Sequence, residues 1–124
     1  MQSMLKVADN TGAVLARCIK VKKKGSPYRY GFIGDFLIVS VRKIRRKNRI
    51  RAKVKIGEVH HAVIIKTKTK LKRKIGISIA FMTNSIVLLT KNRKPIGTRV
   101  FGATTKELRE SKLSRLNTLS AIVL

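Results

Sequence analysis

Asp9, Asp35, Glu58, Glu107 and Glu110 are the only carboxylates in this chain, and they are scattered along it. No two of them stand at the spacing of a paired acid/base site or of a metal-binding loop. His60 and His61 are adjacent, so on a strand they point to opposite faces and cannot chelate one ion together. One is expected to be partly buried and the other solvated. Cys18 has no activator near it in sequence and reads as a small core residue. The glycines form neither a dinucleotide fingerprint nor a phosphate loop of the Walker kind. The reading is therefore not an enzyme, with no cofactor, no metal site and no small-molecule substrate.

The remaining chemistry is cationic. Lys and Arg number 30 against 5 acids in 124 residues, a formal charge of +25. Internal salt bridges cannot neutralise that excess, and a compact state repels itself unless a polyanion supplies the missing charge. Three clusters hold most of it. The first runs from Lys20 to Arg29 and includes Lys22, Lys23 and Lys24. The second, Arg42 to Lys55, contains Lys43, Arg45, Arg46, Lys47, Arg49, Arg51 and Lys53. The third, Lys66 to Lys74, contains Lys68, Lys70, Lys72 and Arg73. A single charge run is usually a solvated face, but three in so basic a chain point to phosphate contacts. About ten such contacts give RNA affinity a log–log salt slope of very roughly −7 to −9. In "YRYGF", Tyr28, Arg29, Tyr30 and Phe32 interleave aromatics with a cation. They could stack on unpaired bases, or an aromatic such as Tyr30 or Phe32 could cap a core instead.

The elements that must carry these residues are short strands. Leu5 and Val7 precede a turn in "ADNTGA", and "VLARCIKV" follows with Leu15, Ile19 and Val21 on a face interrupted by Arg17. Lys22 to Gly34 reads as a loop, and Asp35 to Val41 as a nearly continuous apolar strand. From Arg49 to Lys55 cations alternate with Ile50, Ala52 and Val54. This predicts a strand whose Ile50, Val54 and Ile56 close the core while Arg49, Arg51, Lys53 and Lys55 face phosphates. His61 to Lys70 alternates again, with Lys66, Lys68 and Lys70 on one face. Ile75, Ile77, Ile79 and Phe81 share a face, and "SIVLLT" is a buried strand. Thr104 and Glu107 match a capping box opening a short helix, and Leu113, Leu116 and Leu119 mark a weaker second one. Many short strands with frequent turns predict a small all-β barrel of one domain, with the barrel over about 1–100 and a C-terminal lobe over about 101–124.

No apolar run is long enough to span a membrane, and no amphipathic basic helix suggests a lipid surface, so no membrane partner is expected. The start "MQSMLKVADN" carries no secretory or import leader, and one cysteine suits a reducing compartment.

Several stretches then converge on one family. "MLKVADNTGA", "RYGFIGD", "KIGEVHHAVIIKTK", "NSIVLLT" and "PIGTRVFGATTKELR" closely resemble, in order and spacing, the universal family of large-subunit ribosomal protein fourteen. The resemblance spans essentially the whole chain. It implies a five-stranded β-barrel, a projecting β-ribbon and a C-terminal lobe of short helices. It also implies binding to large-subunit rRNA at the subunit interface, with inter-subunit bridges to small-subunit rRNA. Implied protein partners are large-subunit ribosomal protein nineteen and a ribosome silencing factor, on a surface including Thr98, Arg99, Lys106, Arg109 and Lys112. Departures stand at "KIGISIAFMTN", where Ile75, Ala80 and Met82 replace polar residues, at Ala103, and at the ending "SAIVL". Residues 42–51 look lengthened and extra basic, which predicts an extension reaching RNA. Few acids with many Lys and Ile fit a mitochondrial member in the matrix ribosome, ahead of a bacterial cytoplasmic or plastid one. The alternative class is a free basic RNA-binding barrel, a chaperone or nucleoid-type protein.

Overall fold

The computed structural model describes residues 4–22, 33–45, 53–68, 71–72, 76, 78–104 and 120–123. Nine strands are formed among them: β1 (Met4–Val7), β2 (Ala13–Lys22), β3 (Phe36–Ile44), β4 (Val59–Lys66), β5 (Leu71–Lys72), β6 (Ser78–Ile79), β7 (Ser85–Leu89), β8 (Val100–Thr104) and β9 (Ser120–Val123). Strands β1, β2, β3, β4 and β7 close a five-stranded barrel in that order. Its seam is the parallel pairing of β1 with β7, Lys6 opposite Ser85 and Val7 opposite Ile86. Closure satisfies the backbone groups that an open sheet would leave at its edges. β5 and β6 form a separate antiparallel ribbon, and β8 and β9 a parallel pair.

Two apolar clusters hold the structure. The barrel interior takes Leu5, Val7, Ala16, Cys18, Leu37, Val39, Val41, Ala62, Ile64, Ile86 and Leu88, with Val54 packed among them. A second cluster lies on the other face of β4 and β7, where Val63, Ile65, Val87 and Leu89 meet Ala8 and Val100. Strands covered on both faces need no polar alternation, which is why "AVII" and "IVLL" read as unbroken apolar runs. β7 is buried at all five positions.

Two strand expectations need correction. On β2 the interior side chains are Ala13, Ala16, Cys18 and Val21, while Ile19 is 46% exposed. Register shifts at Ala13/Leu15, Leu15/Ala16 and Cys18/Lys20 break the period of two, so counting by twos from Leu15 selects the wrong face. The alternation of Arg49 to Lys55 does not continue as a strand through its described part. Lys53 and Val54 lie in a bend, and Ile56 and Gly57 in a turn. Val54 is buried as expected, but Ile56 is 57% exposed and closes nothing. Gly57 has φ of 88°, a left-handed conformation that reverses the chain into β4 and ends any alternation. The expected helices after Thr104 fall outside the described residues. Thr104 itself ends β8 and is fully buried.

Candidate nucleic-acid interface

The turn Ala8–Gly12 organises the cationic surface. Gly12 takes φ of 98°, which lets the chain leave β1 and return at once along β2. Asp9 is 3% exposed, and its carboxylate accepts from Thr11 Oγ1 at 2.6 Å, Thr11 N at 3.2 Å and Leu88 N at 3.0 Å. Burial raises its pKa, against the opposing pull of those hydrogen bonds and of nearby Lys53. Asn10 faces the other way. Its Oδ1 accepts from Thr98 N at 2.8 Å and Arg99 N at 3.1 Å, and its Nδ2 donates to Thr98 Oγ1 at 2.8 Å. One acid and one amide thus tie the turn to β7 and to the segment before β8.

The same turn anchors the second basic cluster. Arg45 N donates to Gly12 O at 3.0 Å, and Lys53 N to Thr11 O at 2.9 Å. Arg45 and Lys53 are therefore fixed at neighbouring carbonyls. Arg46, Lys47, Arg49 and Arg51 lie outside the described residues. The Arg45 guanidinium stands 5.5 Å from the centroid of the Phe101 ring, and Lys53 Nζ donates to Ile96 O at 3.4 Å. Arg45, Lys53, Thr98 and Arg99 are all exposed. The sequence separates the cations of this cluster from Thr98 and Arg99, but the structure ties the backbones of both to the Ala8–Gly12 turn. Lys106, Arg109 and Lys112 lie outside the described residues.

Other cations are spread around the barrel. Lys20 is exposed near the end of β2, which Lys22 closes, while Lys23, Lys24, Tyr28, Arg29 and Tyr30 lie outside the described residues. Arg42 and Lys43 are exposed on β3, and Lys55 is exposed before the turn into β4. Arg17, read from sequence only as a break in an apolar face, is exposed opposite Ser40, whose face Arg42 shares. Lys66 is half-buried and donates to Phe101 O at 3.2 Å, 6.0 Å from the Phe81 ring centroid. Burial lowers its pKa, and its ammonium joins β4 to β8. Lys68 lies just past the end of β4, exposed; Lys72 sits in β5, and Lys70, Arg73 and Lys74 are outside the described residues.

A further basic loop escaped the sequence reading. Lys91, Arg93 and Lys94 are exposed on the turn after β7. Arg93 adopts φ of 62° and sets its guanidinium 4.2 Å from the Phe36 ring centroid. The signal was present in "TKNRK", three cations around an asparagine, but the run is shorter than the three clusters that drew attention.

Groups able to do acid–base chemistry are dispersed. His60 Nε2 lies 2.6 Å from Glu58 Oε2, and this hydrogen bond lowers the glutamate's pKa. Both histidines are half-buried, where one solvated ring was expected. Cys18 is buried in the barrel, which raises its thiol pKa and suits a packing role. No three His, Cys, Asp or Glu side chains are grouped for a metal ion among the described residues. No described helix is long and apolar enough to cross a membrane. What the surface can do is present cations, with an exposed aromatic beside them, to phosphates and bases. A family model described as ribosomal protein L14p/L23e matches residues 1–124.

Proposed function

The chain belongs to the ribosomal protein L14p/L23e family, and on that premise we propose how its surface works in the ribosome. Family membership makes it a structural, non-enzymatic constituent of the large ribosomal subunit that binds rRNA. The observation that carries the mechanism is the convergence of Arg45, Lys53 and Arg99 on the Ala8–Gly12 turn, where the nearest carboxylate, Asp9, is buried and already engaged. Unneutralised cations on a backbone fixed by hydrogen bonds hold phosphates at defined positions, which electrostatic attraction alone would not do.

The rRNA-binding set is Lys20, Lys22, Lys23, Lys24, Tyr28, Arg29 and Tyr30, then the cations from Arg42 to Lys55, then those from Lys66 to Lys74. Residues 42–51 form the extension that reaches RNA. Thr98 and Arg99, with Lys106, Arg109 and Lys112, form the surface for inter-subunit bridging to small-subunit rRNA, for large-subunit ribosomal protein nineteen and for a ribosome silencing factor. Scarcity of acids, 5 against 30 cations, supports a mitochondrial ribosome as the setting.

Density-gradient fractionation of native ribosomes tests this. The protein is expected to sediment with the large subunit at one copy and to stay there through a high-salt wash. Sub-stoichiometric association, released at modest salt and transferable to single-stranded RNA, would instead identify a free RNA-binding barrel.

A further inference from the structure

A cleft of about 290 Å³ opens between the start of β1 and the approach to β7, lined by Met4, Lys6, Lys68, Met82, Thr83 and Asn84. It lies at the small end of sites for organic ligands, which run from about 300 to 1,000 Å³, too small for a duplex but matched to one nucleotide. Asn84 builds it. Its backbone carbonyl accepts from Lys6 N at 3.1 Å, and its side-chain Oδ1 accepts from Lys68 N at 2.9 Å. One residue therefore fixes the backbones of two lysines on either side of itself. Thr83 Oγ1 is held 3.1 Å from Ser85 Oγ, which steadies the floor. Both lysines are exposed, and neither ammonium has a hydrogen-bond or ion-pair partner among the described residues.

The rim is apolar where this is least economical. Met82 is 92% exposed and Met4 47% exposed. A thioether in water gains nothing, but it makes favourable, adaptable contacts with an aromatic face. Two unpaired ammonium groups beside two exposed thioethers match the two halves of a nucleotide, an anionic phosphate and a flat π-system.

We propose that this cleft takes one unpaired nucleotide of RNA, its phosphate between Lys6 and Lys68 and its base against Met82 and Met4. The proposal rests on the rRNA-binding reading and names a site within it. An acidic protein segment with an apolar side chain could use the same charges, but it has no flat aromatic requirement for two thioethers. RNA is the better match.

Two experiments test it. In the first, Met82→Cys carrying a short thiol-linked aryl azide is assembled into large subunits and irradiated. Cys18 is buried and does not compete for the label. Crosslinking to an unpaired rRNA nucleotide is expected; crosslinking to a protein, or to nothing, overturns the proposal. In the second, the free protein is titrated with large-subunit rRNA over a range of salt. The double variant Lys6→Gln/Lys68→Gln should lower the magnitude of the log–log salt slope by roughly 0.7, the share of the one phosphate the two lysines hold. Unchanged slope with retained binding overturns the cleft alone, whereas a wild-type protein absent from the large subunit overturns the family-based mechanism.

Discussion

Gly97 and Asn10 should behave as one mechanical unit, and a double-mutant cycle can show it. A Cβ added at Gly97 would sit 2.7 Å from Asn10 Oδ1, 3.3 Å from Asp9 Cβ and 3.4 Å from Asn10 N. The first distance cannot be tolerated, so in Gly97→Ala the Asn10 side chain must leave. It then gives up its bonds to Thr98 N, Arg99 N and Thr98 Oγ1. Three hydrogen bonds at about 1 kcal/mol each, discounted because the site is exposed and water can replace part of them, come to about 2 kcal/mol. Residual crowding against Asp9 adds about 1 kcal/mol. Restriction of the unfolded chain by alanine returns about 0.7 kcal/mol. Gly97→Ala is thus expected to cost about 2.3 kcal/mol, and Asn10→Ala about 2 kcal/mol. In the double variant the clash has no side chain left to displace, so the total stays near 2.3 kcal/mol, about 2 below the sum of the single effects. Urea denaturation followed by circular dichroism measures all four proteins. Additive losses, or a Gly97→Ala variant as stable as wild type, would refute the interlock.

Three other expectations follow from the same geometry. Val54→Ala should cost about 2 kcal/mol because it leaves a void in the barrel, whereas Ile56→Ser should stay within about 0.5 kcal/mol of wild type; equal costs would restore the predicted strand. Glu58 has a folded pKa below its ordinary 4.5, set first by the His60 hydrogen bond, so its contribution is present above that value and is lost as pH falls through the folded pKa. Glu58→Gln should therefore flatten the acid limb of the stability curve, and an unchanged limb would count against the pair. Asp9 is the opposite case, its folded pKa raised by burial above 3.8, so its contribution is full below that value and is lost as pH rises through the folded pKa. The stability advantage of wild type over Asp9→Asn should therefore shrink with rising pH in paired denaturation curves, and an advantage that grows would contradict the assignment.

What was legible in the sequence was the closed barrel and its charge, because both depend on local pattern. β7 announced itself through four consecutive apolar residues, "IVLL", and β3 through "FLIV". The failures lie where a pattern is interrupted by geometry that composition does not encode. At β2, bulges transfer the core face from Leu15 and Ile19 to Ala16 and Cys18, and neither small residue stands out in a hydrophobic count. At Lys53–Gly57 the period of two ends at a left-handed glycine, yet Val54 alone still reaches the core. Asp9 and Asn10 were readable as turn formers but not as clamps, because their partners Leu88, Thr98 and Arg99 are 79 to 89 residues away. The pairing of β8 with β9 was likewise invisible, since four-residue and five-residue strands at long separation carry little local signal.

The placement of charge limits self-repulsion inside a folded chain of net charge +25. The described interior clusters contain no cation, and the half-buried Lys66 finds a carbonyl and a ring instead of a carboxylate. Repulsion is thereby kept at the surface, where water and salt screen it. Asp9, the one buried acid among the described residues, directs its hydrogen bonds to backbone and hydroxyl donors. That choice leaves the cations around the turn free for phosphate, and it makes their positions depend on the same hydrogen bonds that hold the barrel to β8. Weakening the turn should then loosen the RNA-facing surface even though no cation has been removed. Asn10→Ala provides the separation: it leaves every charge in place, so its salt slope with rRNA should stay close to wild type while its affinity falls, whereas loss of a phosphate-contacting lysine lowers both.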